Sequence, residues 1–144
     1  MCVLRGVEVK KKLGLTEVVH VCGAKKCAQV AAICDTGAMR TSVDENLAKE
    51  LDFGESVRTT SVKNPSVDKR FKRPIVNAHI EISGMEFDVD VSIQNRSHMT
   101  HKIIIGRDIL YGNFVVDVSM THDSNKLAAI KDKDLLEVKI YGNC

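Results

Sequence analysis

Short apolar runs of period two, each closed by turn residues, recur along this chain and limit what it can fold into. The clearest is Phe87-Asp88-Val89-Asp90-Val91, whose strict alternation predicts a strand with one wet face and one buried face. It belongs to a run from Met85 to Ile93, and Ser83-Gly84 joins that run to another, Pro74 to Ile82, at hairpin distance. Leu15 to Cys22 and Cys27 to Cys34 flank a second turn, Gly23-Ala24-Lys25-Lys26. Val3 to Val9, Ser56 to Lys63, Lys102 to Ile105 and Asn113 to Val118 are further strand candidates. A last one, Leu136 to Tyr141, follows the charged turn Lys131-Asp132-Lys133-Asp134 and has no evident partner within the chain. One segment departs from the pattern. Ser42-Val43-Asp44-Glu45 reads as a capping box, with Ser42 as N-cap, and Val43, Leu47 and Leu51 then recur four apart until Gly54 stops the helix. A second short helix is expected from near Arg107 to Tyr111. These elements predict a mostly β domain with one or two short helices.

At 144 residues the chain suits a single domain, 1–144. Its 44% hydrophobic and 28% charged residues are too apolar a mix for intrinsic disorder. Lys and Arg exceed Asp and Glu by only two, 21 against 19, which advertises neither nucleic acid nor membrane as a partner. With no Trp, four Phe and two Tyr, platforms for base stacking are scarce. No run approaches the roughly 18 apolar residues of a membrane span. Met1 to Gly14 carries Arg5 and three lysines where a secretory apolar region would lie, so a cytoplasmic location is expected. Five cysteines, an odd number, then read as free thiols, although the turn between Cys22 and Cys27 leaves room for a cross-strand disulfide.

The most informative stretch is Ala31-Ala32-Ile33-Cys34-Asp35-Thr36-Gly37-Ala38, an apolar strand that runs straight into Asp-Thr-Gly. Alone, the tripeptide is also a good turn at the end of a buried strand, since Asp and Gly both favour turns. Its context says more. Thr41-Ser42 follows, and far downstream comes Ile103-Ile104-Ile105-Gly106-Arg107-Asp108. In this the chain resembles the retropepsin-like aspartic proteases, whose active loop is a strand followed by Asp-Thr-Gly-Ala, with an apolar-apolar-Gly element lying under it. It resembles most a bacterial branch named as ATP-dependent zinc proteases and associated with the RimK ligase. Arg73-Pro74, Asn95-Arg96-Ser97-His98-Met99, Ile105-Gly106-Arg107-Asp108 and Phe114-Val115-Val116-Asp117-Val118-Ser119 carry that likeness over residues 30–119. Asn95 stands where that branch usually has Asp, one extra residue precedes Thr41-Ser42, and no His soon follows that pair.

The resemblance implies a retropepsin-like closed β-barrel, dimeric, that acts as an aspartic-type endopeptidase without a cofactor. The chemistry needs two carboxylates about 3 Å apart that share one proton. One takes a proton from the attacking water while the other protonates or polarises the scissile carbonyl. This chain has a single Asp-Thr-Gly, so the second Asp35 would come from another copy across a two-fold axis. By the same resemblance Asp35, Thr36 and Gly37 are the catalytic set. Thr36 braces the paired loops, Gly37 admits close backbone approach, and Ala38, Arg73 and Arg96 lie on the substrate side. A non-catalytic retropepsin-like domain that serves dimerisation or peptide binding is the other reading.

Between helix and Pro74 the polar stretch Ser56 to Arg73 has the position of a flap, and residues 121–144 that of a C-terminal dimerisation extension. The basic run Lys69-Arg70-Phe71-Lys72-Arg73 reads either as a strand edge guarded by charge or as a cationic wall favouring acidic peptides. The second suits a branch associated with a ligase that adds glutamates to protein tails. No metal is expected. There is no His-Glu-x-x-His, and His98 and His101 sit in a loop before an apolar strand, while His20 and His79 fall in strands. Arg96 and Arg107 are placed to pair with carboxylates such as Asp108 or Asp117. Asp108 opens a helix rather than a Thr-Gly turn, so it is not read as catalytic.

Overall fold

A computed structural model describes residues 10–54, 58–64, 69–122 and 139–141, with side chains for 10–54 and 73–122. In chain order the elements are β1 (Lys11–Cys22), β2 (Cys27–Cys34), β3 (Ser42–Asp44), α1 (Glu45–Leu51), β4 (Arg58–Asn64), β5 (Lys69–Ile82), β6 (Met85–Gln94), β7 (Ile103–Ile105), α2 (Arg107–Leu110), β8 (Phe114–Thr121) and β9 (Lys139–Tyr141). Strands β5, β6, β3, β7, β2 and β1 are hydrogen-bonded in that order. β1 then returns to β5, with His20, Val21 and Cys22 opposite Glu81, Ile80 and His79. The sheet therefore closes into a six-stranded barrel. Outside the ring, β4 pairs with β5, β8 runs parallel to β1, and β9 runs antiparallel to β2. Among the described residues no helix is long and apolar enough to cross a membrane.

The apolar runs supply the filling. β2 is paired along its length and buries Ala28, Val30, Ala32 and Cys34, as a run apolar but for Gln29 requires. Val19, Ile80, Val91 and Ile103 meet these from the other staves, and Leu47 and Leu51 of α1 close the barrel from outside the ring. Fully burying a side chain of this size stabilises by about 1.5–3 kcal/mol. Ser83 and Gly84 take positive φ, 51° and 79°, and form the tight turn between β5 and β6.

Several boundaries differ from the sequence expectation. Val3 to Val9 lies outside the described residues, as do parts of the Ser56 to Arg73 stretch and most of 121–144. β1 begins at Lys11, and β5 begins at Lys69, so the basic run is strand. Ser42 is not the N-cap. It sits in β3 with its hydroxyl 2.6 Å from that of Ser92, and the Asp44 carboxylate caps α1 by accepting from the Asn46 and Leu47 amides. The helix ends through Asp52 in the left-handed region rather than through Gly54. Cys22 and Cys27 are disulfide-bonded, so the free-thiol expectation holds only for Cys34 among the described cysteines. The C-terminal strand does find a partner in its own chain: Lys139 to Tyr141 pair with Gln29 to Cys27 of β2.

One side chain ties the end of β7 and the start of α2 to the loop after β2. Thr41 is fully buried; its Oγ1 accepts from the Gly106 amide at 3.0 Å and donates to Asp108 Oδ1 at 2.7 Å. Its amide also donates to Asp108, at 3.0 Å. A Cβ at Gly106 would come within 2.6 Å of the Arg40 carbonyl carbon, so the approach requires glycine there.

Thr41→Val keeps the shape but leaves the buried Gly106 amide without its acceptor, a loss of about 1–3 kcal/mol. Denaturant titration should show a lower midpoint for Thr41→Val and near-recovery for Thr41→Ser; a valine variant as stable as the parent would remove this brace from the account. On the β5–β6 hairpin, His79 lies 3.0 Å from Asp88 and 3.1 Å from Glu86, one carboxylate at each ring nitrogen. Only the doubly protonated ring can donate to both, so Asp88 first and then Glu86 raise its pKa against a small opposing effect of burial. Because the folded value lies above the unfolded one, this contribution is full below the unfolded pKa and is lost as pH rises through the folded value. It is small, since both carboxylates are exposed and screened. NMR titration should find His79 above the ordinary histidine range and Asp88→Asn should lower it; a His79 that titrates at or below that range contradicts the geometry.

Candidate active site

β2 delivers Asp35 at its C-terminal end, and the loop that follows is held from both sides. The Asp35 amide donates to the Ile105 carbonyl of β7 at 2.9 Å, and the Arg107 amide of α2 donates to the Ala38 carbonyl at 2.8 Å. The apolar-apolar-Gly element thus lies against the loop through backbone bonds. Within the loop the Gly37 amide donates to Asp35 Oδ1 at 2.9 Å, and the Ala38 amide to the Asp35 carbonyl at 3.2 Å. A Cβ at Gly37 would stand 3.2 Å from that same carboxylate oxygen. The Asp35 carboxylate is therefore fixed in direction, half-buried, with Thr36 and Gly37 exposed beside it. Met39, 77% exposed, follows on the same loop.

Beneath it, Cys34 is buried, and burial first, with the Glu17 charge second, pushes its thiol up to about 12. It stays neutral and unreactive.

The loop 95–102 brings a cation. Arg96 is 6% exposed; its backbone amide donates to Asp44 Oδ1 at 2.7 Å and its Nε to the His101 carbonyl at 2.8 Å. Burial lowers its pKa most; the charges of Asp44 and Asp35 oppose that, and Arg73 adds to it. Asp35, Arg73 and Arg96 therefore share one electrostatic neighbourhood. Lys102 fastens the loop by donating to the Arg96, Ser97 and Met99 carbonyls at 3.2–3.5 Å.

One pairing expectation is corrected. Arg96 and Arg107 do not pair with Asp108 or Asp117: Asp108 is taken by Thr41, and Asp117 accepts from the Ser119 hydroxyl and amide. His98 and His101 gather no third ligand, and among the described residues no three side chains of metal-binding type come together. Sequence reasoning placed Thr41 and Asp108 in motifs but missed that they bind each other. A Thr just after the Asp loop and an Asp just after Gly106 were the available signal. A cleft of about 440 Å³ between α1 and the start of the barrel part of β5, lined by Ala48, Phe53, Pro74, Val76 and Ile93, was not anticipated.

No family model matches the chain, and no curated protein matches it. Solved structures do. A Legionella pneumophila protein of unknown function (DUF785) is 19% identical with a TM-score of 0.50, over 79% of this chain and 98% of that one. The EIAV protease, in complex with the inhibitor HBY-793, is 18% identical with a TM-score of 0.51, over 75% of this chain and 91% of that one. Likeness at this identity is a likeness of fold: this mostly β chain, a closed six-stranded barrel with two short helices, has a retropepsin-like fold.

Proposed function

We propose that the protein is an aspartic peptidase that works as a cytoplasmic homodimer, in the neighbourhood of the RimK-associated branch. The observation that carries this reading is the rigid presentation of Asp35 at an exposed Asp-Thr-Gly tip, on a retropepsin-like barrel. One copy offers one carboxylate, so the reacting pair forms where two tips meet, Asp35 beside the partner subunit's Asp35. The pair carries a single proton. The ionised member accepts a proton from a water held between them as its oxygen attacks the scissile carbonyl carbon. The protonated member donates to the carbonyl oxygen, and collapse of the tetrahedral intermediate passes a proton to the leaving amine. Thr36 braces the two loops and Gly37 leaves the space they need. The hairpin of β4 and the first half of β5 serves as a flap over peptide held at the Asp35 tip. Arg73 and Arg96 bias that substrate site toward peptides with acidic side chains, and Ala38 contributes to it. No cofactor takes part.

Asp35→Asn keeps the loop's shape but cannot accept the water's proton, so peptide cleavage should fall by at least about 100-fold while dimer and melting temperature persist. Mixing parent and Asp35→Asn chains should give heterodimers of correspondingly low activity, and the parent's rate should pass through a maximum with pH because one proton serves two acids. An Asp35→Asn protein that cleaves at the parent's rate removes Asp35 from catalysis. If neither cleaves any peptide in an acidic and a neutral library yet both bind one equally, the domain is a binding module. A strong chelator should leave the parent's cleavage rate unchanged; loss on chelation and recovery with zinc would replace the two-carboxylate mechanism with a metal one.

A further inference from the structure

The disulfide lies at a junction. Cys22 and Cys27 are cross-strand partners on the last rung of the β1–β2 ladder. Cys22 also stands opposite His79, on the pairing of β1 with β5 that closes the barrel. Cys27 stands opposite Tyr141, at one end of the three-residue ladder that holds β9. The turn between the cysteines leans on the end of α1, the Ala24 amide donating to the Asp52 carbonyl at 3.1 Å. Cys22 is half-exposed, whereas Cys27 is 1% exposed and Cys34 is buried. Redox chemistry therefore has one entry point among the described cysteines, at the rung where β1, β2, β5 and β9 converge.

We infer that Cys22 and Cys27 form a thiol–disulfide switch that sets how firmly the C-terminal strand is held on the barrel. The oxidant is a low-molecular-weight disulfide such as oxidised glutathione. The Cys22 thiolate attacks one of its sulfurs, forming a mixed disulfide and releasing one glutathione thiol. The Cys27 thiolate then attacks the Cys22 sulfur, forming the protein disulfide and releasing the second. The protein loses two electrons and two protons, and the oxidant gains both pairs. A dithiol reductant reverses the sequence. The cross-link removes freedom from the open hairpin. A strand of three paired residues has little stability of its own, so it opens together with the rung on which it ends.

Hydrogen exchange on the full chain tests this, with the protein poised in oxidised glutathione and then in excess dithiothreitol. Exchange at residues 139–141 should be at least about tenfold faster in the reduced protein, while β6, which pairs at neither cysteine, is unchanged. Cys22→Ser should exchange fast at 139–141 in both buffers. Equal rates at 139–141 in the two buffers overturn the inference. So does alkylation mapping that finds Cys22 and Cys27 as free thiols after oxidation, or either one bonded to Cys2, Cys34 or Cys144. Should Cys22→Ser fail to fold, exchange and alkylation of the parent protein decide alone.

Discussion

The hydroxyl of Thr41 both accepts and donates, and only a group with both capacities can join the Gly106 amide to the Asp108 carboxylate. Valine fits the space but offers neither, and a carboxylate there would face Asp108. The bond reaches because Gly106 has no Cβ to strike the Arg40 backbone. Thr41 and Gly106 are thus a matched pair, one supplying the hydroxyl and the other the room. What they fix is the start of α2 and the end of β7, and those two ends hold the Asp35 loop through the Ala38 carbonyl and the Asp35 amide. β7 has only three residues, paired with β2 on one side and β3 on the other. Asp35 is therefore aimed by contacts more than sixty residues downstream.

The charges around the loop differ in burial, with Asp35 half-buried and Asp44 and Arg96 buried. Asp44 is 2% exposed, a costly place for a carboxylate unless its oxygens are satisfied. They are: one accepts from the Asn46 and Leu47 amides at the start of α1, the other from the Arg96 amide. Backbone amides satisfy the Asp44 oxygens, and its charge also acts on the Arg96 side chain, opposing the effect of burial there. The guanidinium is steadied through Nε by a carbonyl, which is uncharged. Its charge is drawn to Asp44 and then to Asp35, while that of Arg73 opposes it.

The legible parts of the fold are those that neighbours in sequence decide. β2 has the bounds its apolar run predicts, and Ser83-Gly84 turns where the two period-two runs meet. The Asp-Thr-Gly loop was legible as a strand end, and Ile104-Ile105-Gly106 as its companion. β3 was not: Val43, Leu47 and Leu51 are spaced like one helix face, but the Asp44 carboxylate starts the helix after Val43, and Ser42 is drawn into the sheet by Ser92. The basic stretch from Lys69 to Arg73, readable as a strand edge, is strand paired with β4, although nothing local joined it to the run from Pro74 into one β5. Barrel closure, the Thr41–Asp108 bond and the place of β9 each join residues far apart, which no local pattern encodes. The disulfide was legible only as a spacing, because its state depends on the redox chemistry around it.

The pairing of β9 bears on how two copies could meet. A terminal strand without a partner would offer a ready edge for a second chain, but here Lys139 to Tyr141 already use the edge of β2 at Cys27 to Gln29. Association through that edge would first have to displace them. The burden then shifts to the tip itself, where Thr36 and Gly37 are exposed and the neighbouring Met39 offers apolar surface. A tip-to-tip contact brings two carboxylates together, and two like charges about 3 Å apart cannot both ionise. In a homodimer of the kind proposed, a proton has to enter as the two tips meet. Assembly and the charge state of the pair would then be one equilibrium, the proton that lets the chains approach being the one the proposed chemistry moves.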